Sequence, residues 1–140
     1  MAFIYSRTVY LGDTDAAGVV YFARAMEICH EAYEESLRVM GVSLYQLLSE
    51  EEIALPIIHS SIDFYSPIVC GDKLVIYQIA DLLKDSEFST SYEIVSPSSP
   101  DRAIVKGIIK HVSISIKTRS RIPLPQKIIQ WIDATKNNDY

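Results

Sequence analysis

GDTDAAGVVYF, residues 12–22, is the stretch on which the reading of this chain turns. Two aspartates, Asp13 and Asp15, lead through two alanines and Gly18 into an apolar segment with helical spacing. A calcium loop would place oxygen ligands at its first, third and fifth positions, glycine at the sixth and glutamate at the twelfth. Counted from Asp13, the fifth position is Ala17 and the twelfth is Arg24, so the donor set speaks against calcium. An aspartyl-phosphate enzyme also carries Asp-x-Asp after a strand, but it needs a βαβ alternation that this chain does not offer. Two readings stay open. In one, the carboxylates shape a turn and cap the following helix, whose free N–H groups and dipole favour negative charge. In the other, a carboxylate beside an amide-rich helix start makes a place where an acyl carbonyl is attacked, directly or through water. The amides then take up the developing negative charge. The chain has no G-x-S-x-G elbow and no Cys–His pairing, so a hydrolase of this kind would rely on the carboxylate.

From Val19 to about Met40 neither proline nor glycine interrupts the pattern, and Gly41 stands where a helix ends. At roughly 100° per residue, Phe22, Met26, Cys29, Tyr33, Leu37 and Met40 share one side, widened by Ala25, Ile28, Ala32 and Val39. Arg24, Glu27, Glu31, Glu34, Glu35 and Arg38 gather opposite as a polar face. About half the circumference is then apolar, more than a surface helix needs, which predicts a concave partner. Residues 3–10 read as a strand, and extended segments recur at 53–67, 73–83, 87–95 and 103–117. Residues 70–72 (CGD) form a turn and SPSSPD, 96–101, a hairpin loop. Pro123 and Pro125 precede a short terminal helix with Trp131, and residues 136–140 are expected to fray. One strand, one long helix and four strands with short connections predict an α+β domain with an antiparallel sheet curled around the helix. The exposed edge of such a sheet invites a partner.

Bulk properties narrow the class. A chain of 140 residues, 49% hydrophobic and 22% charged, suits a single globular domain over residues 1–140. A formal net charge of −5 argues against general nucleic-acid binding. Two cysteines, Cys29 and Cys70, give neither a disulfide framework nor a structural zinc site. The N-terminus has no long apolar run, and Arg24 and Glu27 break the best apolar stretch, so neither a signal peptide nor a membrane span is expected. A cytoplasmic location is the default.

The segment GDTDAAGVVYFARAMEICHEAYEESL, 12–37, resembles the signature of the 4-hydroxybenzoyl-CoA thioesterase branch of the hotdog-fold superfamily. LPIIHSSIDFYSPIVCGDKL, 55–74, is similar to that branch's long strand and turn after the helix, and RSRIPLP, 119–125, to the end of its domain. More narrowly, CHEAYE, ALPIIHSSIDFYSP and PLP resemble the 1,4-dihydroxy-2-naphthoyl-CoA thioesterases of oxygenic phototrophs, which serve phylloquinone synthesis. The resemblance covers about residues 5–125 and implies a hotdog fold: a curled antiparallel sheet wrapped around a central helix. It implies that Asp15 is the catalytic carboxylate, as nucleophile or general base, and that the Phe22 backbone N–H polarises the thioester carbonyl. Gly18 matches the glycine that lets the turn pass close to the acyl group, and Asp13 a structural position. It further implies a homodimer or homotetramer, sites at the subunit interface, and no metal or other cofactor, coenzyme A being part of the substrate.

The remaining polar residues divide. His59, inside the resembling block, is the candidate acyl-pocket histidine. His30 sits at the edge of the helix's apolar arc, and His111, alternating with Val112, Ile114 and Ile116, is expected on a sheet surface. Glu31 belongs to the polar helix face, from which a carboxylate could reach a partner's pocket. Lys117, Arg119 and Arg121 form a cationic cluster, which Lys106 and Lys110 would extend. It reads either as a solvated tail or as a grip on the phosphates of coenzyme A. In the second case, neutralising Arg119 and Arg121 raises KM in steady-state kinetics and leaves kcat almost unchanged. A fall in kcat instead would remove that assignment.

Overall fold

A computed structural model describes residues 2–137. Strand β1 (Phe3–Thr8) is followed by a single 3-10 turn at Leu11–Asp13 and by helix α1 (Phe22–Val39). A short helix α2 (Leu44–Ser49) and a two-residue strand β2 (Ile53–Ala54) lead to the four main strands. These are β3 (Ile57–Phe64), β4 (Lys73–Lys84), β5 (Glu87–Ser96) and β6 (Ser99–Val112). A two-residue β7 (Ile114–Ser115) pairs with β2, and helix α3 (Gln126–Asn137) ends the described chain. Residues 138–140, most of the tail expected to fray, lie outside the described residues.

The five long strands form one antiparallel sheet in the order β1-β4-β5-β6-β3. Its inner face buries Leu74, Ile76 and Ala80 of β4, Phe88, Tyr92 and Ile94 of β5, and Val105 and Ile109 of β6. Helix α1 answers with Ala25, Ile28, Cys29, Ala32, Tyr33 and Leu37. The buried stripe therefore lies to one side of the predicted arc. Phe22 is 58% exposed and Val39 44%, because the sheet covers one flank of the helix and leaves the Phe22 flank open. Gly41 takes φ +78°, and the Gly41 and Val42 amides turn back onto the Arg38 and Leu37 carbonyls, which closes the helix as its position predicts.

Helix α3, three turns long, buries Ile128, Trp131 and Ile132 in the same core. Trp131 Nε1 and Gln78 Nε2 both donate to Ser36 Oγ, at 3.0 and 2.8 Å, so one buried hydroxyl joins both long helices to β4. The expected loop at 96–101 is tighter than predicted. Ser96 pairs with Ser99, leaving only Pro97 and Ser98 between strands. Among the described residues no helix is long and apolar enough to cross a membrane.

His111 corrects its expected surface position: it is buried, 1% exposed. Alternation phased on Val112, Ile114 and Ile116 crosses the break at Ser113. Within β6, His111 is in step with the inward residues Val105, Gly107 and Ile109. Its ring stacks on Phe88 and Tyr33, with centroids 4.8 and 4.7 Å away. Nδ1–H donates to the Leu55 carbonyl at 2.9 Å, which places the neutral ring's proton on Nδ1. Burial pushes its pKa down to about 4, against the opposing pull of the Leu55 carbonyl. The unfolded chain then binds the extra proton first as pH falls. The stabilisation is present above the ordinary histidine value, 6.5, and is lost as pH drops towards 4, by roughly 3 kcal/mol. Chemical denaturation at stepped pH is expected to show this loss in the native chain and a flatter profile in His111→Phe.

Candidate active site

Residues 9–22 carry the chain from β1 to α1 without a side-chain cap on the helix. The residue before α1 is Tyr21, in extended conformation, and no side chain accepts from the first turn. Neither Asp13 nor Asp15 caps α1, so the capping half of that reading is overturned, while both carboxylates do accept from the amides of their turns. The chain approaches the helix as a short paired segment: Thr14 bridges Val20, Val19 bridges Val69, and the Val20 N–H donates to the Ile68 carbonyl at 2.8 Å. A strand-like approach leaves no room for a capping loop. The first intrahelical bond runs from the Ala25 N–H to the Tyr21 carbonyl. The Phe22, Ala23 and Arg24 amides stand ahead of it, and an uncapped first turn concentrates partial positive charge there.

The two aspartates occupy opposite environments. Asp13 is 3% exposed. Its Oδ1 accepts from Arg24 Nε at 2.6 Å, and its Oδ2 from the Tyr10 N–H at 2.9 Å and from Arg7 Nη2. Burial alone would raise its pKa, but the Tyr10 N–H and the two guanidiniums outweigh it and hold the carboxyl below its ordinary value. Asp15 is exposed. Its Oδ1 accepts from the Ala17 N–H at 2.8 Å, and its other oxygen has no hydrogen-bond partner among the described residues. The Asp15 carbonyl accepts from the Gly18 N–H at 3.0 Å, and the Asp15 N–H donates to the Val19 carbonyl at 2.9 Å. Gly18 closes this turn at φ +83°, a left-handed backbone that favours glycine, with no protein atom within 4 Å of an added Cβ.

Asp15, Val19, Val20, Tyr21 and Phe22 line one side of an open hollow of about 480 Å³, and Phe64, Tyr65, Ser66, Pro67 and Ile68 the other. The free carboxylate and the uncapped helix start thus face one space. Four rings surround it, those of Tyr21, Phe22, Phe64 and Tyr65, each between 44% and 58% exposed. Of these, sequence reasoning missed Tyr21, Phe64 and Tyr65. Two adjacent aromatics at the end of a strand, just before Ser66-Pro67, were the available signal, since alternation can bury only one of them.

Other candidates lie apart from the hollow. His59 pairs with Lys110 on the sheet face that turns away from α1, so within one chain it does not meet Asp15. Unbroken alternation from His59 to Phe64 puts it there, in step with Ser61 and Asp63. His30 is half-buried at the edge of the helix's apolar side, 4.0 Å from Glu34. Glu31 is held within the chain: both its oxygens accept from Arg7 at 2.9 Å, and Tyr5 adds a third contact. Lys117 pairs with Glu52 at 3.0 Å, whereas Arg119 and Arg121 make no ion pair among the described residues. Lys106 does not extend that field, because it stands between Asp63 and Glu93 on the outer sheet face. Burial pushes the Cys29 thiol up to about 12, which removes it as a nucleophile near neutral pH. Among the described residues no group of three or more His, Cys, Asp or Glu converges to hold a metal ion.

Comparison with known proteins agrees with this geometry. The model of the thioesterase-like superfamily matches residues 9–132. The 1,4-dihydroxy-2-naphthoyl-CoA hydrolase of Crocosphaera subtropica is 44% identical over 134 residues, 96% of this chain and 98% of that protein. The enzyme of that name from Gloeothece citriformis is 49% identical over 92% of this chain and 90% of its own. Among solved structures, a 1,4-dihydroxy-2-naphthoyl-CoA thioesterase from Synechocystis superposes with a TM-score of 0.91 at 38% identity, covering 97% of this chain and 98% of that one. With a long helix laid on a five-stranded antiparallel sheet and a match that spans nearly the whole fold, the chain belongs to the thioesterase-like superfamily of hotdog-fold hydrolases.

Proposed function

We propose that this protein hydrolyses 1,4-dihydroxy-2-naphthoyl-CoA to the free acid and coenzyme A, with Asp15 as the reacting carboxylate. One observation carries the reading: an unpaired carboxylate oxygen and an uncapped helix start open onto the same aromatic-lined hollow. The thioester carbonyl oxygen lies against the Phe22 N–H, and the Asp15 carboxylate attacks the carbonyl carbon, directly or by drawing a proton from an attacking water. Negative charge builds on the carbonyl oxygen, where the first-turn amides stabilise it. The carbon–sulfur bond then breaks and the sulfur leaves as the coenzyme A thiolate. On the direct route water next cleaves the Asp15–acyl anhydride and frees Asp15. On either route the water oxygen enters the new carboxylate, while a water proton converts the thiolate to the thiol. No metal or further cofactor takes part.

Substrate class follows from the lining. A bicyclic aromatic acyl group presents flat faces that four nearby rings can stack against, by offset or edge-to-face contact. The relatives named for naphthoyl-CoA support that choice over a linear acyl chain. Coenzyme A is long, so its phosphates lie well away from the thioester. Arg119 and Arg121, without ion-pair partners among the described residues, can hold them without lining the hollow. The working assembly is a homo-oligomer paired along β3. That edge strand exposes Ile57, Ile58 and Phe64 by 44% to 49%, and it ends at the hollow.

A panel of aryl- and alkyl-CoA thioesters with free thiol as readout tests the reading. The expected order is naphthoyl-type above benzoyl-type above linear acyl groups. Preference for linear chains removes the substrate, and no turnover of any member removes the enzyme. Asp15→Asn is expected to cost about 10³-fold or more in kcat. Because Asp15 caps nothing and is exposed, the same variant keeps its unfolding midpoint within the range of an ordinary surface substitution, about 0.5 kcal/mol.

A further inference from the structure

The proposed mechanism needs two groups at a fixed separation, the Asp15 carboxylate and the Phe22 amide, and neither is rigid by itself. Asp15 sits in an exposed turn, and α1 begins without a cap. What joins them is Asp13. Its backbone carbonyl accepts from the Tyr21 N–H at 3.1 Å, which ties the residue before Phe22 to the residue two before Asp15. Its buried side chain holds Arg24 of the first helical turn at 2.6 Å, and Arg7 of β1 with the other oxygen. Arg7 in turn grips both oxygens of Glu31, two turns further along α1. Arg24 reaches back to Glu27 and lies 3.7 Å from Glu31. One carboxylate therefore pins the loop, the helix start and β1 to a common point.

Resting on the thioesterase reading above, we infer that Asp13 and Arg24 are positioning residues that set the distance between the Asp15 carboxylate and the first-turn amides. Neither touches the reacting atoms. Asp13 is buried outside the hollow, and Arg24 is spent on Asp13 and Glu27. Without Arg24, the Asp15 loop and the helix approach keep the Tyr21–Asp13 and Asp15–Val19 backbone bonds and the Thr14–Val20 bridge, but no side chain then ties the first turn of α1 itself to Asp13. An error near 1 Å in such a pair costs about 10²-fold in rate. Substrate affinity, set by the rings and the coenzyme A arm, is little affected.

The test compares Arg24→Gln, Asp13→Asn and Arg38→Gln in the full-length protein. Arg38→Gln removes an exposed pair with Glu35 on the same helix and controls for the loss of a helical arginine. Each variant is first shown to be folded by far-UV circular dichroism and a cooperative unfolding transition, and is assayed well below that transition. Should Asp13→Asn not fold, Arg24→Gln carries the test alone, since its side chain is one-third exposed. The expected result is a fall in kcat on the order of 10²-fold for Arg24→Gln, KM within about threefold, and no change for Arg38→Gln. In an Asp15→Asn background the Arg24→Gln loss is expected to shrink to within about threefold, because the two act through one geometry. A folded Arg24→Gln with kcat within twofold of the native protein overturns the inference and leaves the thioesterase reading standing. A native protein that hydrolyses no thioester overturns both.

Discussion

A carboxylate with 3% exposure is tolerated only when its oxygens are satisfied and its charge is met, and Asp13 meets both conditions. Two guanidiniums and one backbone N–H converge on it from β1, the 3-10 turn and α1. Removing any one donor would leave charge stranded in a desolvated place, so the three elements are bound to one arrangement. This gives the connection between β1 and α1 a definite shape even though it carries no core residue larger than valine between Asp13 and Val20. The sheet and helix could pack by burial alone. The path between them could not.

That arrangement divides two chemically identical side chains into different tasks. Asp13 spends both oxygens inside the fold, while Asp15, two residues on, spends one on its own turn and keeps the other. The helix start is left in a matching state. Because Val20 is committed to Ile68 and Tyr21 to the Asp13 carbonyl, no polar residue stands where a cap would, and the first-turn amides stay available. An ordinary cap would stabilise the helix by about 1 kcal/mol. Forgoing it leaves an electropositive patch beside a free carboxylate, a combination that costs stability and that, on the proposed reading, serves a developing oxyanion.

The larger architecture was legible in the amino-acid pattern. The half-apolar helix bounded by Gly41 and the run of extended segments predict a sheet with one long helix against it, and both are present. The importance of residues 12–22 was also visible, because Asp-x-Asp before a helix admits few physical explanations. Two details were not. His111 was misplaced because a two-residue period holds only within one strand, and the break at Ser113 resets it. The capping role failed because a strand-like approach to α1 depends on pairing with residues 68 and 69, some fifty positions away. The first miss is a local period reset at a strand break, and the second a long-range partner overriding a local rule.

The openness of the hollow ties chemistry to assembly. Charge stabilisation by amides is strong only where water is excluded, and in a single chain Asp15 and all four rings are solvated. The strand that ends beside the hollow, β3, is a sheet edge with unpaired backbone groups and half-exposed isoleucines. Covering that edge buries apolar area and satisfies its backbone donors and acceptors. On the proposed reading it also walls the hollow at Phe64 and Tyr65 and lowers the local dielectric around the thioester. A free edge is ordinarily a liability that proteins blunt with charge or proline. Here β3 carries neither lysine nor proline, and Ile57, Ile58 and Phe64 stand half-exposed along it, as suits an edge meant to be paired. The same desolvation that would hold two copies together would then make the carboxylate and the amides effective on the thioester carbonyl.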